Sequence, residues 1–292
     1  MAGRDVALHR LADDVMTGNT VAARRAWRRL EPLHGMIYFV PEAANRYATL
    51  GLTGMSGYFA SRGAAFGRAS ADLVIATFYN FCPDLVRRSL PAAWDVVTPE
   101  QMLEARLEAA DEALRRAGIH ELPHLAETLD LARRAATAAC DHPQGRPLFA
   151  AHAALPWPDD PLQQLWHAQT LLREFRGDGH VATLLAEGLT GLEALVLHAA
   201  GGEVPVAFLK ISRAWPEEAW TAAEAGLHAR GLLEGGALSA AGQALRRHLE
   251  DRTDTLAMAA YGALGEDGCE RLAELARPFG RRVVDAGLLS LG

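Results

Sequence analysis

The sequence predicts a mainly α-helical protein with one small β-hairpin. Most long segments carry apolar residues at helical spacing between clear helix start and stop residues, and very few alternate with period two. In addition, the short apolar segments "LLE" and "ALS" flank Gly235 and Gly236, a two-residue turn of the kind that closes a hairpin. The composition and the individual elements support this fold class.

The composition excludes several classes of protein. The chain has 292 residues, half of them apolar, and a formal charge of −7 from 29 basic and 36 acidic residues. That balance disfavours generic attraction to nucleic acids or anionic membranes. The three cysteines are far apart, no segment reaches the ~20 apolar residues of a membrane span, and charges are spread through residues 1–16. We therefore expect a soluble, cytoplasmic protein.

Helices dominate residues 1–140, which we interpret as one helical domain. In "VAARRAWRRLEPLHG" the residues Ala23, Trp27, Leu30 and His34 form one stripe. Pro32 interrupts this segment, and we expect a break or kink near Glu31 because proline lacks the backbone N–H. The clearest helix is "TPEQMLEARLEAADEALRRAG". Thr98 and Gln101 form a capping box, Pro99 occupies the first turn, and Gly118 provides the stop.

Residues 141–161, "DHPQGRPLFAAHAALPWPDDP", are dense in proline and predict the connection to a second domain at 162–292. The segment also contains Leu148 and Phe149. A flexible linker would be less apolar, so we expect this connection to be packed.

The second domain has the element order of a winged helix-turn-helix unit. Thr190 and Glu193 form a capping box for a short helix, and Pro216 opens another that ends at Gly231. The predicted hairpin and a long helix from about Ser239 follow. Helix, helix, hairpin and helix is the order of a winged helix.

Several segments together carry a resemblance to a known family. They are "EPLHGMIYFVPEA", "GYFASRGAAFG", "TFYNFCP", "FAAHAALPWPDDP", "LWHAQTLLREFRGDGHVATL" and "HARGLLEGGALSAAGQALRRHLEDRTD". The chain resembles actinobacterial helix-turn-helix proteins of largely unassigned function. More distantly, "RGLLEGGALSAAGQALRR" is similar to the wing and following helix of MarR-type regulators. The resemblance implies a winged-helix fold, and fold alone does not establish DNA binding.

The charge pattern opposes DNA recognition by this unit. The helix before the hairpin should carry basic or amide side chains into the major groove, but it contains Glu217, Glu218 and Glu224, with Arg230 at its far end. Residues 181–255 hold ten acidic residues against six basic ones. DNA is thus a possible partner, disfavoured by the acidic recognition region.

A polar cluster interrupts the apolar segment 162–176, whose apolar residues fall nearly all round a helix. Such a helix is usually buried, so its charged residues need partners or a ligand. Arg173, Glu174 and Arg176 then form either an internal salt-bridge network or an anion-binding pocket. At the end of this segment, Gly177 reads as a helix stop and Asp178 as the cap of a new helix.

Further candidates come from polar residues among aromatic ones. His167 and His180 can serve as hydrogen-bonded core residues or in acid–base chemistry. His34 begins "HGMIYFVPE", Tyr58 and Arg62 share a face four residues apart, and Asn80 lies in "TFYNFCP". Each of these can also be core filling.

These candidates predict a protein that handles a small anionic or polar metabolite in a pocket between the two domains. One interpretation is a cofactor-independent acid–base enzyme of specialised metabolism, catalysing an elimination, hydrolysis or isomerisation. The alternative is a ligand-responsive, winged-helix transcriptional regulator. We expect no metal, no cofactor and no membrane partner, and a homodimer is possible. The acid–base candidates are His34, His167, Glu174 and His180, and the ligand-binding candidates are Tyr58, Arg62, Asn80, Arg173, Arg176 and Asp178.

Overall fold

A computed structural model describes the backbone of residues 2–289 and the side chains of residues 19–289. The charged N-terminal segment 1–16 therefore has no described side chains. Within the described part, the chain is mainly α-helical with one two-stranded antiparallel sheet, as predicted. The helices are α1 (Ala2–Gly35), α2 (Pro41–Thr49), α3 (Gly54–Gly63), α4 (Ala71–Phe78), α5 (Pro83–Ser89), α6 (Pro99–Arg116), α7 (Leu125–Ala139), α8 (Pro147–Ala153), α9 (Pro161–Ala186), α10 (Gly191–Ala200), α11 (Val206–Arg213), α12 (Glu217–Ala229), α13 (Ala240–Tyr261) and α14 (Gly265–Asp285), and the strands are β1 (Leu233–Glu234) and β2 (Ala237–Leu238).

The chain forms two compact units, each assembled from separate stretches of sequence. Unit 1 comprises Met1–Arg46, Glu104–Arg176 and Asp254–Gly292, and unit 2 comprises Tyr47–Leu103 and Gly177–Thr253. The sequence-based division into 1–140, 141–161 and 162–292 is a different partition and stays a prediction. The connecting segment lies within unit 1, where Leu148 and Phe149 are buried.

Unit 1 is built around the pairing of α1 with α14. Leu30, Leu272 and Phe279 are buried in its core. Gly280 allows the closest approach of the two helices, because a Cβ at this position would overlap the backbone carbonyl of Arg29.

The sequence predicted a break or kink near Glu31, and the structure has no break there. Helix α1 continues through Pro32 to Gly35. Proline removes one backbone hydrogen bond from a helix, and here that loss falls in the last turn. Burial of Leu30 and Leu33 on either side of the proline favours the continuous helix.

The predicted helix end at Gly177 is also wrong. Helix α9 runs without interruption from Pro161 to Ala186, so Asp178 is an interior residue and does not cap a new helix. A glycine inside a helix costs about 1 kcal/mol relative to alanine. Burial of Phe175 and Leu184 in the turns on either side outweighs that cost.

Unit 2 contains the predicted helix-turn-helix elements. Thr190 and Glu193 form both halves of a capping box at the start of α10, which confirms the predicted helix start. Strands β1 and β2 confirm the predicted hairpin, and its turn residues Gly235 and Gly236 have φ values of 56° and 84°. Positive φ at both turn positions is the geometry that favours glycine in a two-residue hairpin. Trp220 of α12 is buried in the core beneath these elements.

The lengths and hydrophobicity of the helices also bear on whether the chain could cross a membrane. Within the described residues, no single helix is long and apolar enough to cross a bilayer. Helices α9 and α10 meet the criterion only as a bent pair.

Candidate functional site

The charged residues of α9 in unit 1 are engaged in ion pairs. Arg173 Nε donates a hydrogen bond to Glu31 at 2.9 Å, and Arg173 Nη1 donates to Glu174 at 3.1 Å. Nη1 also lies 3.3 Å from the Tyr38 hydroxyl. Arg173 and Glu174 thus belong to an ion-pair network, the first of the two alternatives drawn from the sequence. Their predicted roles toward a ligand stay predictions.

His34 lies at the centre of the same network and is fully buried. Its Nδ1 is 2.9 Å from Thr170 Oγ1, and its Nε2 is 2.9 Å from the Tyr38 hydroxyl and 4.0 Å from the Glu174 carboxylate. The imidazole stacks on Trp166 with a centroid separation of 5.6 Å. Both ring nitrogens therefore have protein partners.

Arg106 of α6 is a member of this network that the sequence analysis missed. Its side chain is buried, and Nη2 lies 3.4 Å from both His34 Nε2 and the Tyr38 hydroxyl. The sequence could have indicated Arg106, because it lies in the apolar stripe of α6, one turn after the buried Met102. A charge on a buried stripe indicates a buried partner.

Arg176 takes part in a second ion-pair group of unit 1. Asp254 lies between two arginines, 2.9 Å from Arg176 and 3.0 Å from Arg24. Trp27 and Tyr261 line a cavity of about 10 Å³ beside this group. That volume corresponds to one water molecule. Arg176 thus pairs with an internal carboxylate, and its predicted role toward a ligand stays a prediction.

His167 lies apart from these groups, although it is also on α9. Its ring packs edge-to-face on Trp157 at 4.8 Å, and Nε2 has no hydrogen-bond partner among the described residues. Burial lowers the pKa of His167 to about 4. The imidazole is therefore neutral at physiological pH.

A ligand-sized cavity lies in unit 2. Its volume is about 340 Å³, within the range of small-molecule sites. His180 and Asn80, both candidates from the sequence, line this cavity. His180 Nδ1 is held 2.9 Å from Thr253 Oγ1. The other wall residues are Phe78, Tyr79, Val181, Leu184, Ala194, Leu195, Leu197, His198, Val204, Phe208, Leu209, Arg213, Arg246, Leu249 and Glu250, from α4, α9, α10, α11, α13 and nearby loops.

The segment Tyr79–Cys82 connects this cavity to the helix-turn-helix. The Asn80 side-chain oxygen accepts a hydrogen bond from Arg213 Nε at 3.3 Å, and its backbone oxygen accepts from Trp215 Nε1 at 2.9 Å. The Cys82 N–H donates to the Arg213 carbonyl at 3.0 Å. Arg213 and Trp215 flank the turn between α11 and α12, so one cavity wall holds that turn in place.

The start of α10 is fixed by the same segment. Tyr79 adopts a φ of 60°, which is rare for a residue other than glycine, and its hydroxyl donates to the Leu189 carbonyl. Gly191 packs so closely against the Tyr79 carbonyl that a Cβ would overlap it. The segment therefore contacts both ends of the α10–α11 pair.

The side chains of Tyr58 and Arg62 form a polar pair that contacts this part of unit 2. Arg62 Nη1 donates to the Tyr58 hydroxyl at 3.0 Å, and its guanidinium lies 4.1 Å from the centroid of the Phe78 ring. The structure thus groups Tyr58, Arg62, Asn80 and His180 in unit 2, and His34, Arg173, Glu174 and Arg176 in unit 1. Asp178 is buried in unit 2 within α9.

One motif with metal-binding character went unnoticed in the sequence. His120, Glu121 and His124 spell H-E-x-x-H, a zinc signature when both histidines lie on one helix. Here His120 lies in a 3₁₀ turn and His124 has a φ of 65° before α7, because Pro123 separates them. Among the residues described, no three His, Cys, Asp or Glu side chains are arranged to hold a metal ion.

Within unit 2, three short helices followed by a β-hairpin and a long helix have the element order of a winged helix-turn-helix. Comparison with family models agrees with this class, since the model of a helix-turn-helix family matches residues 23–290. The chain belongs to that helix-turn-helix family. No curated protein and no solved structure matches the chain.

Proposed function

We propose that this protein is a ligand-responsive helix-turn-helix regulator whose small-molecule effector occupies the unit 2 cavity. The observation that carries the proposal is the cavity of about 340 Å³ walled by α10 and α11. These are two of the helices that form the helix-turn-helix itself. An occupant would contact the helices whose positions determine how α12 is presented.

The coupling route is the segment Tyr79–Cys82. Asn80 lines the cavity and also accepts hydrogen bonds from Arg213 and Trp215 at the α11–α12 turn. A ligand that competes for either Asn80 or Arg213 therefore favours a different position of this turn. Such a bias requires only that the ligand bind the two turn positions with different affinity.

DNA is the macromolecular partner that family membership favours. The first turn of α12 is acidic, and its Glu217 pairs with Lys210 at 2.6 Å. Contacts to phosphates would thus come from exposed arginines beyond this turn, such as Arg247 and Arg252 of α13. This arrangement predicts modest affinity that weakens as the salt concentration rises, in proportion to the few phosphate contacts made.

The acid–base enzyme drawn from the sequence receives less support. Glu174 and His34 are buried and engaged with Arg173, Thr170 and Tyr38 in unit 1. A catalytic acid or base must reach a proton of the substrate. Of the four acid–base candidates, His180 lines the unit 2 cavity, whereas His34, His167 and Glu174 do not.

The regulator proposal is tested with the full-length chain and sheared genomic DNA of the source organism. The protein is incubated with the DNA at roughly 50 mM salt, where phosphate contacts are strong, and recovered fragments are sequenced. We expect enrichment of discrete sites and loss of binding in the double variant Arg247→Glu, Arg252→Glu. The control is Arg87→Glu, which changes an exposed arginine of α5 that pairs with Asp72.

Failure to enrich any site at low salt would remove DNA as the partner. Effector binding is tested separately by thermal-shift screening of the wild type and of Ala194→Trp, which fills the cavity. Compounds that bind the unit 2 cavity should raise the Tm of the wild type and not that of the filled variant. An identical response from both proteins would place the binding outside the cavity.

A further inference from the structure

We propose that the unit 2 cavity selects a small amphipathic acid, whose single anionic group pairs with Arg213 and whose apolar body lies along α9, α10 and α11. This inference rests on the proposed function and specifies the chemical class of the effector. It depends on one cation that has no internal counter-charge, and on the division of the cavity into a cationic and an apolar part.

Arg213 lacks the acidic partner that Arg173 and Arg176 have. Its guanidinium donates to the Asn80 side-chain oxygen at 3.3 Å and to Ser212 Oγ at 3.0 Å, and lies 4.4 Å from the centroid of the Phe81 ring. All these partners are neutral. Within the part of the chain whose side chains are described, no carboxylate lies within 4.0 Å of Arg213. By contrast, Arg173 and Arg176 both pair with carboxylates.

The surroundings of Arg213 disfavour its charge. Burial lowers the pKa of the guanidinium, and the positive charge of Arg62 lowers it further, while the Tyr58 hydroxyl acts in the opposite direction. An arginine remains protonated in proteins even so, because its intrinsic pKa is very high. A shielded cation next to a second cation is stabilised by a bound anion, and a planar carboxylate can accept two hydrogen bonds from one guanidinium.

The second arginine of the cavity wall is already neutralised. Arg246 Nη2 lies 3.3 Å from Glu203, and its Nη1 lies 3.3 Å from His198 Nδ1. Glu250 adds another acidic side chain to this part of the wall. A ligand anion is consequently stabilised more by pairing with Arg213 than by pairing with Arg246.

Apolar side chains form much of the remaining wall. Leu184 and Val181 come from α9, Leu195 from α10, and Phe208 and Leu209 from α11. A fully charged or polyanionic ligand would leave this surface without apolar contact. In a compound with one negative charge and a compact aliphatic or aromatic body, the charge pairs with Arg213 and the body packs against the apolar side chains.

The test uses matched acid and amide probes with the full-length protein. Octanoate with octanamide, and 4-phenylbutyrate with 4-phenylbutyramide, are titrated by calorimetry. The intrinsic tryptophan fluorescence is followed in parallel, because Trp215, whose indole N–H is 2.9 Å from the Asn80 carbonyl, should report on the cavity wall. We expect each acid to bind at least about tenfold more tightly than its amide, a difference typical of one charge-assisted contact. The variant Arg213→Met should abolish this preference, whereas Arg246→Met should keep it.

The outcomes separate this inference from the proposed function. Equal binding of acid and amide, or an unchanged preference in Arg213→Met, would overturn the acid assignment while leaving a working effector cavity. Absence of binding by every probe, together with no hit from the Ala194→Trp comparison, would overturn both. If Arg213→Met fails to fold by circular dichroism, Arg213→Gln serves as the second variant and must give the same loss of preference.

Discussion

Arg176 Nη2 donates a hydrogen bond to Asp254 Oδ1 over 2.9 Å, and both side chains are buried. The sequence placed Arg176 among the candidates for holding a ligand anion. In the structure, an aspartate 78 positions further along the chain occupies the place of that anion. The two arginines on Asp254 explain why this carboxylate is tolerated in a core.

Removing this carboxylate should destabilise unit 1. The substitution Asp254→Asn leaves Arg176 and Arg24 without their shared counter-charge, and breaking a buried ion pair costs about 3 kcal/mol. Urea denaturation should show that decrease in the free energy of unfolding. The control is Asp285→Asn, whose exposed partner Arg281 lies 3.8 Å away, with an expected change below about 0.5 kcal/mol. Equal effects from both variants would contradict the assigned role of Asp254.

Stability should depend on pH through His167. Its pKa is about 4 in the folded chain, against about 6.5 in an unfolded one, so the unfolded state binds more protons between these values. Stability is then complete above pH 6.5 and falls as the pH drops toward 4. From pH 7 to pH 5 the wild type should lose about 2 kcal/mol more than His167→Gln, measured by urea denaturation. Parallel losses in the two proteins would show that His167 does not titrate as proposed.

Two glycine-to-alanine substitutions in unit 2 should have opposite effects. At Gly191 a Cβ would overlap the Tyr79 carbonyl, so Gly191→Ala should lower the free energy of unfolding by about 2 kcal/mol through overpacking. At Gly226 in α12, a Cβ would meet only a Glu193 oxygen at 4.0 Å. Gly226→Ala should therefore stabilise the protein by about 0.5–1 kcal/mol, the helix preference of alanine. Thermal unfolding distinguishes the two, and stabilisation by Gly191→Ala would refute the close contact.

The cysteines should differ in reactivity. Burial raises the pKa of the Cys269 thiol to about 11, and the side chain is inaccessible, whereas Cys140 is exposed. Because the thiolate is the reactive species, iodoacetamide at pH 8 should alkylate Cys140 in the native protein and Cys269 only after unfolding in urea. Peptide mass spectrometry assigns the modified site, and rapid native labelling of Cys269 would contradict its burial.

Local signals predicted local structure well. The capping boxes at Thr98 and Thr190 and the turn at Gly235–Gly236 are confirmed, because residues close in the sequence satisfy their backbone hydrogen bonds. The apolar residues distributed around 162–176 also correctly indicated a buried helix.

The same local signals failed where packing opposed them. Pro32 and Gly177 each favour a helix end, yet α1 and α9 continue through them. Their penalties of one to a few kcal/mol were outweighed by the burial of neighbouring apolar side chains. That burial depends on segments distant in the sequence, which no local pattern specifies.

By itself, the sequence determined the helical fold class, the hairpin and the burial of the charged helix α9, because spacing and capping act over a few residues. Only the tertiary structure decided how the charges are used. It brought Glu31 to Arg173 and Asp254 to Arg176. It placed Arg213 in a cavity wall, where its hydrogen-bond partners among the described side chains are neutral. Ion pairing depends on distances between side chains that lie far apart along the chain, and folding alone sets those distances.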